Sequence, residues 1–271
     1  MRSGFEVLLT PLLATLSQLF WLFLPLLGQL ALLTLLARFL QGRLARTFGW
    51  TGVKAVCWLG TMAHELGHAL GTWLTGGQVQ EIHLWEPDRE TGQLGYVVAR
   101  HRFFLGRLVC AIAPFFAVTA AMVGVARLAF PQFFVAGLQP PLLDRPDVAG
   151  WLAFGHYLAA TGQYYARVLG LLFTAGALRQ PTTYLFIYLM LSLASGISPS
   201  PTDFKLFLPA ALIGLGVLLL VNFGAAVAGA DVLAALHAAL ARGITALSAF
   251  LAYGVLFTLL AVALLLPFWK R

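Results

Sequence analysis

Long uncharged stretches dominate the chain. Val7 to Ala37, Leu108 to Ala126, Gln180 to Thr202, Leu206 to Ala230 and Gly243 to Trp269 contain no Asp, Glu, Lys or Arg. About 20 apolar residues span a bilayer core as a helix, and each run is close to or beyond that length. The pattern predicts helices over about 16–40, 51–74, 104–130, 182–195, 206–228 and 245–268. Pro11 and Pro25 are expected to bend or break the first, and a short basic connection containing Arg43 and Arg46 to lead into the second. Residues 151–178 carry His156, Gln163 and Arg167 and fit either a span or an interfacial helix.

One polar stretch interrupts this pattern, from Gln78 to Arg102. Val79, Glu81, His83 and Trp85 alternate with Gln80, Ile82 and Leu84. The turn cluster Pro87-Asp88-Arg89-Glu90-Thr91-Gly92 then precedes Leu94 to Ala99. Two extended segments around such a turn predict a β-hairpin. The expected architecture is an all-α polytopic membrane protein with about six transmembrane helices and a membrane-associated β-hairpin after the second. Residues 1–271 form a single domain, with no internal repeat.

Composition agrees. Of 271 residues, 60% are hydrophobic and only 10% charged, against about 25% charged in soluble domains. The net charge of +7 sits at the ends of apolar runs, in Arg38, Arg43, Arg46, Arg100, Arg102, Arg107, Lys270 and Arg271. That placement suits anionic lipid headgroups, not nucleic acid. Cys57 and Cys110 both fall in apolar segments, so no disulfide framework is expected. The first apolar run is too long, and too poor in small residues at its end, for a cleaved signal peptide. The polar hairpin and the Asp203 turn are expected on the cytoplasmic side, where Lys205 and the Lys270-Arg271 tail join them.

The chemistry enters at His64-Glu65-Leu66-Gly67-His68. HExxH on a helix puts two imidazoles one turn apart on one face, able to share a zinc ion, with the glutamate beside them as general base. A glutamate inside a bilayer costs about 2.5 to 3.5 kcal/mol on insertion scales and is functional by default. A catalytic zinc site takes a third protein ligand and leaves one position open. Position 74 is Leu, which excludes the metzincin histidine. Glu86 and Glu90 fall in the turn region, and no glutamate follows Glu90. Asp144 and Asp147 sit in a polar loop, and Asp231 opens an amphipathic segment as a helix cap. Asp203 lies at the Ser/Pro break between two apolar helices and is the candidate third ligand. Its alternative role is an N-cap; Asp231 and Glu81 are next in line as ligands. Gly67 and Gly71 predict a close helix contact beside the site. Pro114 is expected to bend a neighbouring helix. Asn222 fits an interhelical bond or a substrate contact.

The motifs His64-Glu65-Leu66-Gly67-His68-Ala69, Leu74-Thr75-Gly76-Gly77, Val79 and Ile82 resemble the site-2 protease family of intramembrane zinc metalloproteases, in particular its compact bacterial branch without a PDZ domain. Ala111-Ile112-Ala113-Pro114 is similar to the small-residue-plus-Pro motif on a later helix. Ser198 to Asp203 falls where that family places its aspartate, although Pro201-Thr202-Asp203-Phe204 replaces the Asn-Pro-Asp-Gly or Leu-Asp-Gly of many members. The resemblance implies an integral multi-pass enzyme of a bacterial cell membrane. It implies Zn2+ on His64, His68 and Asp203, with Glu65 catalytic, and hydrolysis of a peptide bond in or near a transmembrane segment of a membrane-protein substrate. Such a substrate helix must unwind. The hairpin could then hold the extended chain by strand addition, with Gln80, Ile82, Leu84 and Asn222 as candidate contacts. A regulatory membrane partner is a further expectation, since no regulatory domain is recognisable. The rival reading is a non-catalytic metal-binding scaffold or transporter with a protease-like fold. A protease acting on soluble or lipidated peptides would want the missing downstream glutamate.

Overall fold

A computed structural model describes residues 4–131, 151–197 and 201–265. The described chain is mostly helical, with one antiparallel two-stranded sheet. The elements are α1 (Gly4–Gln18), a π-helical turn (Leu19–Phe23), α2 (Leu24–Leu74), β1 (Gln78–His83), β2 (Tyr96–Arg100) and α3 (Phe104–Ala129). After them come α4 (Trp151–Leu172), α5 (Ala175–Leu178), α6 (Pro181–Ser195), α7 (Pro201–Ala228) and α8 (Ala230–Leu265). The acidic loop with Asp144 and Asp147 lies outside the described residues.

The N-terminal region departs from the expected single helix over 16–40. Pro11 sits inside α1 without ending it. The π turn closes with Leu24 N–H donating to Leu19 O. That wider turn admits Pro25, whose missing N–H removes an ordinary i→i−4 bond. The basic connection is not a loop either. Helix continues through Arg43 and Arg46 to one break at Gly49, with φ 67° and ψ −167°. That backbone conformation is open only to glycine. Gly49 thereby divides α2 into residues 24–48 and residues 50–74.

Two described helical stretches are long and apolar enough to cross a membrane, Leu9–Leu74 and Gly106–Ala129. Pro181–Ser195, Leu212–Ala228 and Leu251–Leu264 are shorter apolar helices. Toward the C-terminus, residues 245–265 of the expected span over 245–268 belong to a 36-residue helix that starts at Ala230; residues 266–268 lie outside the described residues. Gly229, at φ 140°, alone separates it from α7.

α2 is the hub, packing against α3, α6 and α8. The main core gathers Leu33, Val118, Met122, Phe186, Met190, Leu193 and Phe257, all nearly or fully buried. Outward faces are apolar too: Leu35, Leu74, Leu128, Leu220 and Val227 are each more than 60% exposed.

Buried polar side chains pair across helices. Asn222 Nδ2 donates to Gln18 Oε1 at 2.7 Å and to Thr15 Oγ1 at 2.9 Å, and Gln18 Nε2 donates to Asn222 Oδ1 at 3.2 Å. Asn222 is fully buried. Of its two sequence-based readings, the substrate contact gives way to the interhelical bond, because its amide is already committed to α1. A second polar ring joins Gln29, Tyr157 and Ser248 from α2, α4 and α8.

The hairpin forms as expected, with one correction. Gln78 pairs with Arg100, Val79 with Ala99, Glu81 with Val98, Ile82 with Val97 and His83 with Tyr96. Gln80 has no partner in that register and forms a bulge. A bulge interrupts the period of two, so Gln80 does not continue the face of Ile82, and Leu84 lies past the end of β1. Pairing extends toward the turn through Glu86 N–H to Leu94 O and Asp88 N–H to Gln93 O, both 2.8 Å. The Asp88 carboxylate caps the turn, accepting from Thr91 Oγ1 and Glu90 N–H. Those bonds hold its carboxyl below the ordinary value.

Candidate metal centre

The site is built where α2 is squeezed between two neighbours. An α-helix sets residues four apart on one face, so the His64 and His68 rings meet edge to face with centroids 4.8 Å apart. Both rings are held from behind. His64 Nδ1 lies 2.7 Å from the carbonyl oxygen of Gly196, just past the end of α6. His68 Nδ1 lies 2.9 Å from the carbonyl oxygen of Cys110 in α3. A carbonyl oxygen only accepts, so each Nδ1 must carry the hydrogen. Each ring is then fixed with Nε2 facing forward, as a lone pair when the ring is neutral.

Both Nε2 atoms face Asp203, in the first turn of α7. His64 Nε2 is 3.3 Å from Oδ2, and His68 Nε2 is 3.2 Å from Oδ1. The ligand atoms of His64, His68 and Asp203 all lie within 4.8 Å of one another. His64 and Asp203 are buried.

This arrangement fits a cation. Two acceptor nitrogens facing two acceptor oxygens repel unless a positive charge lies between them. Extra protons on both rings would serve, and so would a metal. The spacing suits the metal: tetrahedral bonds of about 2.0 to 2.1 Å imply ligand atoms about 3.3 Å apart. A carbonyl behind each metal-binding imidazole, holding its other ring nitrogen, is the usual companion of a zinc site. Two imidazoles and one carboxylate would give a metal three protein ligands and leave a fourth position open.

Glu65 stands beside the triangle. It is buried, within electrostatic reach of His64, His68 and Asp203. Its Cγ lies against Gly95, the residue before β2: a Cβ built there would be 3.0 Å away. The same Cβ would come within 2.7 Å of His83 O and 2.9 Å of Leu84 O. Glycine at 95 thus lets the hairpin close over the glutamate.

The expected glycine contact is present. A Cβ on Gly67 would lie 2.4 Å from Pro114 Cα, and one on Gly71 would lie 2.6 Å from Ala113 Cβ. Sequence reasoning missed a second such contact, where a Cβ on Gly60 would come 2.2 Å from Ser192 O and 2.7 Å from Gly196 N. Gly60 precedes His64 by one turn, so this contact brings the Gly196 carbonyl to the imidazole. Gly60→Ala is expected to cost about 1 to 3 kcal/mol by overpacking. It should also push Gly196 O off His64 Nδ1 and lower zinc affinity about 10-fold or more. Thermal unfolding of the metal-free protein and chelator competition read the two effects separately.

Other singled-out residues lie apart from the triangle. Cys57 is buried as a structural thiol, and neither Glu81 nor Asp231 belongs to the ligand cluster. Ile82 and Gln80 are exposed on the hairpin, and Leu84 is half-buried. His83 stacks on Tyr96 at 4.5 Å and pairs through Nδ1 with Glu86 Oε2 at 2.6 Å. His101 follows the hairpin; burial, then Arg107, holds its imidazole below the ordinary value.

Comparison of the chain with protein-family models, curated proteins and solved structures finds no match.

Proposed function

We propose that the protein is an intramembrane zinc metalloprotease that hydrolyses a peptide bond in or near a transmembrane segment of another membrane protein. The observation that carries this reading is the buried triangle of His64, His68 and Asp203, with each imidazole turned forward by a backbone carbonyl and Glu65 alongside. A packing role alone gives no reason to place an acidic group beside two acceptor nitrogens.

We read residues 24–48, residues 50–74, α3, α6, α7 and the C-terminal part of α8 as six membrane spans. The apolar outer faces support this reading, because exposed leucines at such density suit hydrocarbon, not water. Residues 50–74 make a helix about 37 Å long at 1.5 Å per residue, and His64 falls about 21 Å along it. The site then lies at membrane depth, and water must reach it through protein-lined space.

His64, His68 and Asp203 would hold the zinc. When bound, the ion supplies a Lewis acid that polarises the scissile carbonyl and acidifies water. Glu65 accepts the proton of the attacking water at its carboxylate and passes it to the departing amide nitrogen. The hairpin shields Glu65 from the far side through Gly95. Its outer strand edges retain unpaired backbone groups, which an unwound substrate segment can meet as an added strand. Ile82 and Gln80, both exposed on β1, are the side chains such a segment passes. Proline at Gln80 is expected to lower cleavage while zinc stays bound; cleavage at the wild-type rate removes strand addition from the mechanism.

The direct test uses the purified full chain in proteoliposomes with a single-span substrate. Cleavage inside the span, abolished by chelator and restored by zinc, supports the proposal. A zinc-loaded protein that cuts no membrane helix, whatever the substrate sequence, favours the scaffold or transporter reading.

A further inference from the structure

Pro114 lies inside α3, a 26-residue helix. In an α-helix each N–H donates to the carbonyl four residues before it. Proline has no N–H, so the carbonyl of residue 110 loses its helical partner. That carbonyl is the one that holds His68: His68 Nδ1 donates to Cys110 O at 2.9 Å. A carbonyl left unpaired in hydrocarbon is costly, so it must find another donor. The imidazole N–H is that donor.

The packing brings the two together. The backbone of α3 at Pro114 lies directly on α2, since a Cβ at Gly67 would be 2.7 Å from Pro114 N and 2.4 Å from Pro114 Cα. One turn further along, a Cβ at Gly71 would be 3.2 Å from Cys110 Cα and 3.1 Å from Val109 O. Gly67 and Gly71 flank His68 in sequence, so the freed carbonyl and the imidazole meet across the closest part of the interface. The other histidine follows the same rule by a different route. Gly196 follows the last residue of α6, where helix carbonyls have no intrahelical donor, and Gly196 O takes His64 Nδ1.

We propose that Pro114 is a positioning residue for the metal: by removing one backbone N–H it frees the Cys110 carbonyl to fix the tautomer and angle of His68. The proposal rests on the zinc-site reading above. It assigns Pro114 a role distinct from bending its helix, because only the absent N–H matters.

The experiment measures zinc affinity by chelator competition and the visible spectrum of the Co2+-substituted protein. Both are recorded beside thermal unfolding of the metal-free protein. Pro114→Ala supplies an N–H that competes for Cys110 O. Zinc affinity is expected to fall about 10- to 100-fold, with a changed Co2+ spectrum, while the metal-free protein unfolds at the same or a higher temperature. Pro114→Gly supplies the same N–H without a Cβ and should behave alike, which covers misfolding of the alanine variant. Lactic acid at position 114, introduced by nonsense suppression, replaces the N–H with an ester oxygen and should restore wild-type affinity. Unchanged affinity in both N–H-bearing variants overturns the proposal, as does failure of the ester to rescue. A wild-type protein that binds no zinc overturns the site reading and this proposal with it; zinc-binding wild type with unaffected variants overturns this proposal alone.

Discussion

Glu65→Gln is expected to leave zinc content unchanged and to lower cleavage by about 10²- to 10⁴-fold, the usual range for general acid–base catalysis. The substitution keeps the volume of the side chain and an oxygen in place, so the contact with Gly95 survives. It removes a carboxylate beside the triangle that, in the proposed mechanism, accepts a proton from water and returns it to the leaving nitrogen. None of the ligand atoms changes, and both orienting carbonyls, Gly196 O and Cys110 O, keep their imidazoles. Stability should not suffer either. An unpaired carboxylate in a buried place is a cost to the fold, and the amide carries no charge. The measurement is paired: zinc per protein by elemental analysis, and cleavage of a single-span substrate in the same preparation. Full zinc with lost cleavage assigns the proton transfer to Glu65. Full zinc with full cleavage would sink that role.

The part of the site readable in the sequence is the part that is local. His64 and His68 share a face because four residues make about one helical turn, whatever the tertiary structure does. Gly67 and Gly71 announce a close approach because small residues at that spacing serve little else in a bilayer helix. Asp203 required elimination, since nothing in its own neighbourhood points back to His64. Pro114 marks the Cys110 carbonyl as free, but nothing in the sequence tells which donor takes it, and the Gly196 carbonyl is freed only by where its helix ends. Gly60 escaped for a related reason: its close partner, Gly196, is distant in sequence. The hairpin's existence followed from alternation and turn chemistry. Its bulge did not, because Gln80 looks like an ordinary strand residue and only the register leaves it unpaired. Similarly, the uncharged runs announced helices but not their joints. Gly49 breaks a helix that charge pattern ended earlier, and the π turn at Leu19–Phe23 absorbs a proline expected to interrupt. Asn222 allowed two readings until Gln18 and Thr15 were seen to take its amide.

Asp203→Ala is expected to weaken zinc binding by about 10²- to 10³-fold, a quarter of the roughly 10 to 16 kcal/mol that a complete structural site contributes. The competing role for this residue is helix capping, and the two roles differ in what they predict for zinc. Asp203 sits in the first turn of α7, where a carboxylate interacts favourably with the helix N-terminus by about 0.3 to 1 kcal/mol. A cap lost to alanine would lower the unfolding temperature of the metal-free protein and leave zinc affinity alone. A ligand lost to alanine weakens zinc binding, which a lost cap would not do; metal-free stability does not separate the two roles, since without metal the carboxylate 3.2 to 3.3 Å from His64 and His68 Nε2 pairs with a ring that carries an extra proton. Asp203→Asn separates charge from shape: it keeps an oxygen near the triangle without the negative charge, and its zinc affinity should fall between alanine and wild type. Undiminished affinity in both variants would pass the third position to Asp231 or Glu81, and would require α8 or the hairpin to move toward His64 on metal binding.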